Sequence, residues 1–137
     1  MADDCAALLM DTVPVVMRLI RAEMSSHRAP YLSVPQFRTL GFIARHPRTS
    51  LSDVAEHIGL ALPSMSKQVD GLVERKLVVR SSYSNDRRRV TLELTARGQA
   101  LLQSAHASTQ AAFAERLSVL SENDRAIIVR AMQILHP

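Results

Sequence analysis

Arg87, Arg88 and Arg89 stand in a row directly after Asn85-Asp86, a dipeptide that favours a tight turn. Guanidinium groups on a projecting turn can neutralise phosphates or enter a narrow minor groove, where negative potential is enhanced. Asp86 fits beside them as an acceptor that fixes the shape of the turn. A second set, Ser64, Ser66, Lys67 and Gln68, has the side chains that read base edges. Lys67 suits guanine O6/N7 or a phosphate, Gln68 suits adenine, and the serines suit either. Arg75 and Arg80 lie between the two sets and complete the candidate DNA-contacting residues. Residues 60–97 hold eight Lys/Arg against four Asp/Glu, a surplus equal to the net charge of +4 for the whole chain; the remainder balances at nine against nine. The excess positive charge sits where a surface for double-stranded DNA would have to be. Each residue also has a plainer use. Ser64 can merely finish a helix cap, Lys67 can be a solvated helix charge, and Gln68 lies at the edge of a buried face. Arg75 can pair with Glu74 or Asp70, and a solvated charge run is the alternative for the three arginines.

Such residues need a scaffold that presents them together. Met10, Val13, Met17, Ile20 and Met24 recur at steps of three and four, one side of a helix; the spacing predicts a first helix from about residue 5, bent at Pro14. Its methionines can be read as sulfur ligands, but adaptable packing in a core or dimer seam is the plainer reading. Ser33 caps a second helix with Pro35 in its first turn, with Phe37, Leu40 and Ile43 on one face and an end at His46-Pro47. Ser50 to Asp53 offers a capping box for a third helix, with Val54, Ala55 and Ile58 inward and a stop at Gly59. Pro63 opens a fourth, with Met65, Val69, Leu72 and Val73 inward and Ser64, Ser66, Lys67, Asp70 and Gly71 outward. A strand from Leu77 to Ser81 leads to the basic tip, and Val90, Leu92 and Leu94 alternate with polar residues on the return. Thr95 caps a long fifth helix, and Ser121-x-x-Asp124 opens a sixth carrying Ile127, Ile128, Ala131 and Leu135.

The expected fold class is mainly α with a small β-hairpin wing: a winged helix-turn-helix with N- and C-terminal dimerisation helices. Residues 1–32 form the N-terminal dimerisation helix, 33–98 the DNA-binding lobe and 99–137 the C-terminal dimerisation helices, in one compact domain overall. The lobe is too small to cover the outer amphipathic helices, so an isologous homodimer built from both chain ends is expected.

Composition removes other classes. The 137 residues are 47% apolar, yet no run approaches the roughly 18 needed to span a bilayer. The acidic start MADDCAALLMD is unlike a secretory signal, so a cytoplasmic location is expected. Cys5 is the lone cysteine, and the five histidines are scattered without zinc spacing, so neither metal nor cofactor is expected. Glycine-rich phosphate loops, GxSxG and HExxH are absent from the sequence. Asp53 and His57 form an i, i+4 pair with neither nucleophile nor metal partner in sight. No enzyme is expected. A protein-interaction module without DNA work is the remaining alternative, and the concentration of charge argues against it.

Several blocks then occur in order: Leu32-Ser33-Val34-Pro35-Gln36-Phe37-Arg38-Thr39-Leu40, Leu51-Ser52-Asp53-Val54-Ala55, Ser66-Lys67-Gln68-Val69-Asp70-Gly71-Leu72-Val73-Glu74-Arg75, Asp86-Arg87-Arg88-Arg89 and Leu92-Glu93-Leu94-Thr95-Ala96-Arg97-Gly98. With them the chain resembles the multiple-antibiotic-resistance regulator (MarR) family over residues 8–135. The Asp-Arg-Arg wing followed by L-x-L-T-x-x-G is specific in combination. The resemblance implies a dimeric winged-helix transcription factor, a repressor on a pseudo-palindromic operator, released by a small anionic or aromatic effector or by thiol oxidation. Effectors of such proteins lodge between the dimer helices and the DNA-reading lobe. Met17, Arg21 and Phe42 are the positions here that can line that space, with Arg21 meeting a carboxylate, although core packing explains Met17 and Phe42 equally well. Cys5 is the candidate for a thiol switch; Asp3 and Asp4 disfavour its thiolate, while a nearby helix start favours it. One departure stands out. Ala61 occupies the N-cap where relatives usually carry Ser or Thr, a loss of about 0.5–2 kcal/mol, partly offset by Pro63. Leu62 stands where relatives often have a polar or basic residue, so a preferred DNA sequence is not carried over.

Overall fold

In a computed structural model, residues 1–25, 32–82 and 90–136 are described; they form six helices and a three-stranded antiparallel sheet. Helix α1 (Ala2–Ser25) starts closer to the terminus than the apolar stripe predicts and runs through Pro14 as one element. Asp3 and Asp4 in its first turn meet the positive end of the helix dipole. Only the end of its stripe reaches the core. Met17 and Ile20 are half-buried and Met24 is buried, whereas Met10 is 75% exposed.

The next helices begin where their caps dictate. At α2 (Val34–Arg45), Ser33 Oγ accepts from the Gln36 N–H (3.2 Å) and Gln36 Oε1 accepts from the Ser33 N–H (2.9 Å), a reciprocal capping box. At α3 (Leu51–Ile58), Ser50 Oγ accepts from the Asp53 N–H (3.1 Å), and the helix ends at Gly59 with φ 82°, a conformation glycine adopts without a Cβ penalty. Helix α4 (Leu62–Glu74) follows with Pro63 in its first turn and no side-chain cap at Ala61. Leu40, Ile43, Val54, Met65, Val69, Leu72, Leu77 and Leu92 meet in the centre with almost no exposed surface.

Strands β2 (Val78–Ser82) and β3 (Val90–Leu94) pair in the register Val78↔Leu94 to Ser82↔Val90. The expected hairpin is therefore present, shifted by one residue on its first strand. It gains a strand that the sequence pattern does not announce: β1 (Thr49–Ser50) pairs with β3, giving the order β1-β3-β2. Two residues are too few for a period-two pattern, and Ser50 is committed to capping α3. Leu92 is the inward residue of β3, while Val90, at the far end from the core, is exposed.

Thr95 joins the sheet to α5 (Ala96–Leu117). Its Oγ1 accepts from the Gly98 N–H (2.9 Å) and donates to the Lys76 carbonyl (2.6 Å), while its N–H donates to the Leu77 carbonyl (3.0 Å). Gly98 is buried so closely here that a Cβ would lie 2.1 Å from the Leu77 carbonyl oxygen. Farther along, the Arg116 guanidinium donates twice to Glu23 Oε1 (3.1 and 3.0 Å), holding α5 to α1. Helix α6 (Glu122–Leu135) opens on Ser121, whose Oγ accepts from the Asp124 N–H (3.1 Å). Arg125 reaches back to the Leu120 carbonyl (2.6 Å) and satisfies part of the end of α5. No residue of α6 is buried.

Candidate nucleic-acid interface

The α3–α4 pair is set by two glycine- and proline-dependent boundaries and one shared core. Gly59 and Leu60 both donate to the Ala55 carbonyl (2.9 and 3.0 Å), which closes α3 and aims the chain into α4. Helix α4 is held by Met65, Val69 and Leu72, all fully buried. That anchoring turns Ser64 and Lys67 to solvent, with Ser66 and Gln68 half-buried at the margins. Polar side chains displayed from the first half of a helix, opposite a rigid apolar seat, are what insertion into a major groove requires.

The other candidates are more constrained. Thr39 is fully buried; its hydroxyl lies 2.8 Å from the Pro35 carbonyl oxygen and 3.1 Å from Gln68 Oε1, so its one proton serves either or is shared. Gln68 therefore ties α4 to α2, and its amide is part of the packing as well as a candidate reader. Asp70 on α4 forms an ion pair with Arg80 on β2, and the Arg80 guanidinium also reaches the Ser66 carbonyl (3.5 Å). Asp70, one of the two acids that the sequence offers to Arg75, is thus engaged by Arg80. Arg75 sits half-buried at the C-cap of α4. A further link, Arg48 to Glu93 (3.4 Å), joins the approach to β1 with β3. Sequence spacing gives no hint of either pair, since both depend on how the sheet lies against the helices. Asp86, Arg87, Arg88 and Arg89 lie outside the described residues; they belong to the segment 83–89 that connects β2 to β3.

Of the residues expected to line an effector space, Met17 and Arg21 lie one turn apart on α1 and Phe42 lies on α2. Met17 is half-buried against the core and Arg21 is exposed. Phe42 is buried between the rings of His46 and His57, with centroids 4.2 and 4.4 Å away. A further group of side chains comes together elsewhere. A cavity of about 390 Å³ between α2, α3 and α5 is bordered by Phe37, Arg38, Arg45, His57 and His106, among others, with no Asp or Glu in its lining. Phe37 and His106 stack across it at 6.3 Å. These residues come from three separate helices, so no local motif could have collected them. Cys5 is exposed in the first turns of α1. Among the described residues no cluster of three or more His, Cys, Asp or Glu is placed to hold a metal ion, and no helix is long and apolar enough to cross a membrane.

Known proteins share this arrangement. A model of the MarR family matches residues 32–89, the span from the start of α2 through the segment after β2. An uncharacterised HTH-type transcriptional regulator of Bacillus subtilis, YfiV, is 26% identical over 104 residues; the match covers 76% of this chain and 65% of that protein. The HTH-type transcriptional repressor Rv2887 of Mycobacterium tuberculosis is 28% identical over 118 residues, 85% of each chain. Its structure in complex with p-aminosalicylic acid superposes with a TM-score of 0.75, at 25% identity, over 96% of this chain and 98% of that one. Among solved structures, Rv1404 of Mycobacterium tuberculosis gives a TM-score of 0.83 at 21% identity over 98% and 91% of the two chains. FabT of Streptococcus pneumoniae, in complex with DNA, gives 0.73 at 18% identity over 99% and 95%. The capped helices, the three-stranded wing and the outward polar face of α4 thus accompany a match of residues 32–89 to the MarR family and a whole-chain likeness in fold to MarR-type winged-helix transcriptional regulators.

Proposed function

We propose that this protein is a repressor that binds a pseudo-palindromic duplex as a homodimer, and that a small anionic, aromatic effector releases it. The observation that carries the DNA reading is α4. Three fully buried residues seat it, Ser64 and Lys67 face solvent, and the chain's whole charge surplus lies within residues 60–97. Arg87, Arg88 and Arg89 would extend that surface along the backbone or into the minor groove. Support comes from relatives: FabT is described in complex with DNA and Rv2887 as a repressor.

The dimer rests on uncovered apolar surface at the two chain ends. Val119, Ile127 and Ile134 are 85%, 58% and 68% exposed, and Leu8, Met10 and Val13 are exposed on α1. So many large apolar side chains left in water on two helices are what a partner surface would cover. A two-fold partner covering both ends places two α4 helices side by side, about 34 Å apart for successive major grooves.

For the effector, the cavity between α2, α3 and α5 supplies two guanidinium groups and stacked rings without a competing carboxylate. A carboxylate on an aromatic body suits both features, and Rv2887 is described in complex with such a molecule. Release follows if the effector binds better to the spacing of the two lobes that cannot straddle both grooves. The exposure of Cys5 keeps a thiol-controlled alternative in view.

A salt titration tests the DNA reading. A dimer contacting about six to ten phosphates gives a log–log slope of about −5 to −9. Arg87→Ala with Arg88→Ala removes four cations per dimer and should flatten the slope by about 3 to 4 while weakening every duplex alike. An unchanged slope refutes a role for the wing.

A further inference from the structure

The leading end of α4 is apolar and open. Leu60, Ala61, Leu62 and Pro63 are all exposed, Leu60 by 39% and Leu62 by 48%. Scattered surface leucines need no explanation, but here consecutive apolar residues occupy the tip of the helix that would enter the groove. Ala61 supplies no side-chain cap, so this tip offers neither hydroxyl nor carboxylate to a base or a phosphate. Leu62 borders a hollow of about 610 Å³ between the starts of α3 and α4 and strand β3. Asp53 stands on its rim, and Arg48, also on the rim, is paired with Glu93. Ser50, Ser52 and Thr91 also line the hollow, and Leu51, Leu62 and Val90 are its apolar side chains; an apolar group on a base edge is the part of a duplex that suits those three. In the major groove the one apolar feature of a base edge is the C5-methyl of thymine.

Resting on the DNA reading above, we infer that Leu62 is a specificity-determining residue that packs on a thymine methyl in each half-site. The recognition helix then works in two zones. Its first turn selects A·T at one position by apolar contact, and Ser64, Ser66 and Lys67 supply the polar contacts that follow. Leu62 is partly exposed and outside the core, so its truncation leaves folding intact.

The experiment begins by selecting duplexes from a random pool with the full-length protein. Each thymine of a selected site is then replaced in turn by deoxyuridine, which pairs identically but lacks the methyl. Binding is measured at fixed salt for wild type, Leu62→Ala and Leu60→Ala, with a thermal melt of each variant as the folding control. One thymine per half-site should be sensitive, at about fourfold per methyl and about fifteenfold when both half-sites are changed. In Leu62→Ala that sensitivity should vanish, and the unmodified site should bind about as weakly as the doubly substituted site binds wild type. In Leu60→Ala it should persist. Wild-type indifference to every deoxyuridine, or a penalty that survives Leu62→Ala, overturns the inference and leaves DNA binding standing. Failure to select any duplex removes the DNA reading and the inference together.

Discussion

Replacing Gly98 by alanine should destabilise this protein, although helix propensity alone predicts the reverse. Gly98 lies in the first turn of α5, and alanine in a helix interior is ordinarily favoured over glycine by about 1 kcal/mol. Here the new Cβ would sit 2.1 Å from the Leu77 carbonyl oxygen and 3.0 Å from its carbon. Both are backbone atoms, so no rotamer change relieves the clash, and the helix must back away from the sheet. That movement strains the Thr95 cap (2.9 Å) and the Thr95–Leu77 backbone bond (3.0 Å). Overpacking costs about 1–3 kcal/mol, a weakened cap about 1 kcal/mol and the bond about 0.5–1.5 kcal/mol. Set against the propensity gain, the net loss is about 1.5–4.5 kcal/mol. Gly71 is the internal control, since a Cβ there meets nothing within 4 Å and α4 should gain up to about 1 kcal/mol. Urea unfolding followed by circular dichroism, at equal protein concentration, measures both. A Gly98→Ala midpoint at or above wild type would show that the contact between α5 and Leu77 does not constrain residue 98.

Three further outcomes are expected. Ile127→Asp with Ile134→Asp should reduce the sedimenting mass from about twice 15.2 kDa to that of one chain, and a variant that stays at the doubled mass removes α6 from the interface. Thr39→Val keeps the shape but deletes the hydroxyl between Pro35 and Gln68; a loss of about 1–2 kcal/mol in urea unfolding is expected, and no loss means that Gln68 contributes nothing through it. For the thiol alternative, DNA affinity of wild type and Cys5→Ser is compared before and after peroxide. Equal responses in the two proteins dispose of it.

Local chemistry explains which parts of the fold were readable. Ser33, Ser50, Thr95 and Ser121 each accept from the N–H three residues on, so helix starts are written within four positions of sequence. Gly59 and Pro63 mark the turn before α4 for the same reason, and the missing cap at Ala61 was equally visible. The ion pair of Asp70 with Arg80 is not legible in the sequence, because the two are ten residues apart and only the placement of β2 beside α4 brings them together. Strand β1 has no signature in the sequence because its two residues acquire strand character solely by pairing with β3. The cavity bordered by Arg38, Arg45, His57 and His106 draws on three helices, so no local pattern in the sequence collects its residues.

By itself, then, the order of residues determined the helices, their caps, the hairpin and the segment in which positive charge accumulates, since each depends on neighbours within a few positions. Tertiary structure alone decided which of those charges are engaged by carboxylates and which helix faces remain uncovered. It also decided that Gly98 cannot carry a side chain. Those outcomes depend on distances between segments far apart in the chain, and such distances are fixed only when the buried residues of α2, α3, α4 and the sheet close on one another.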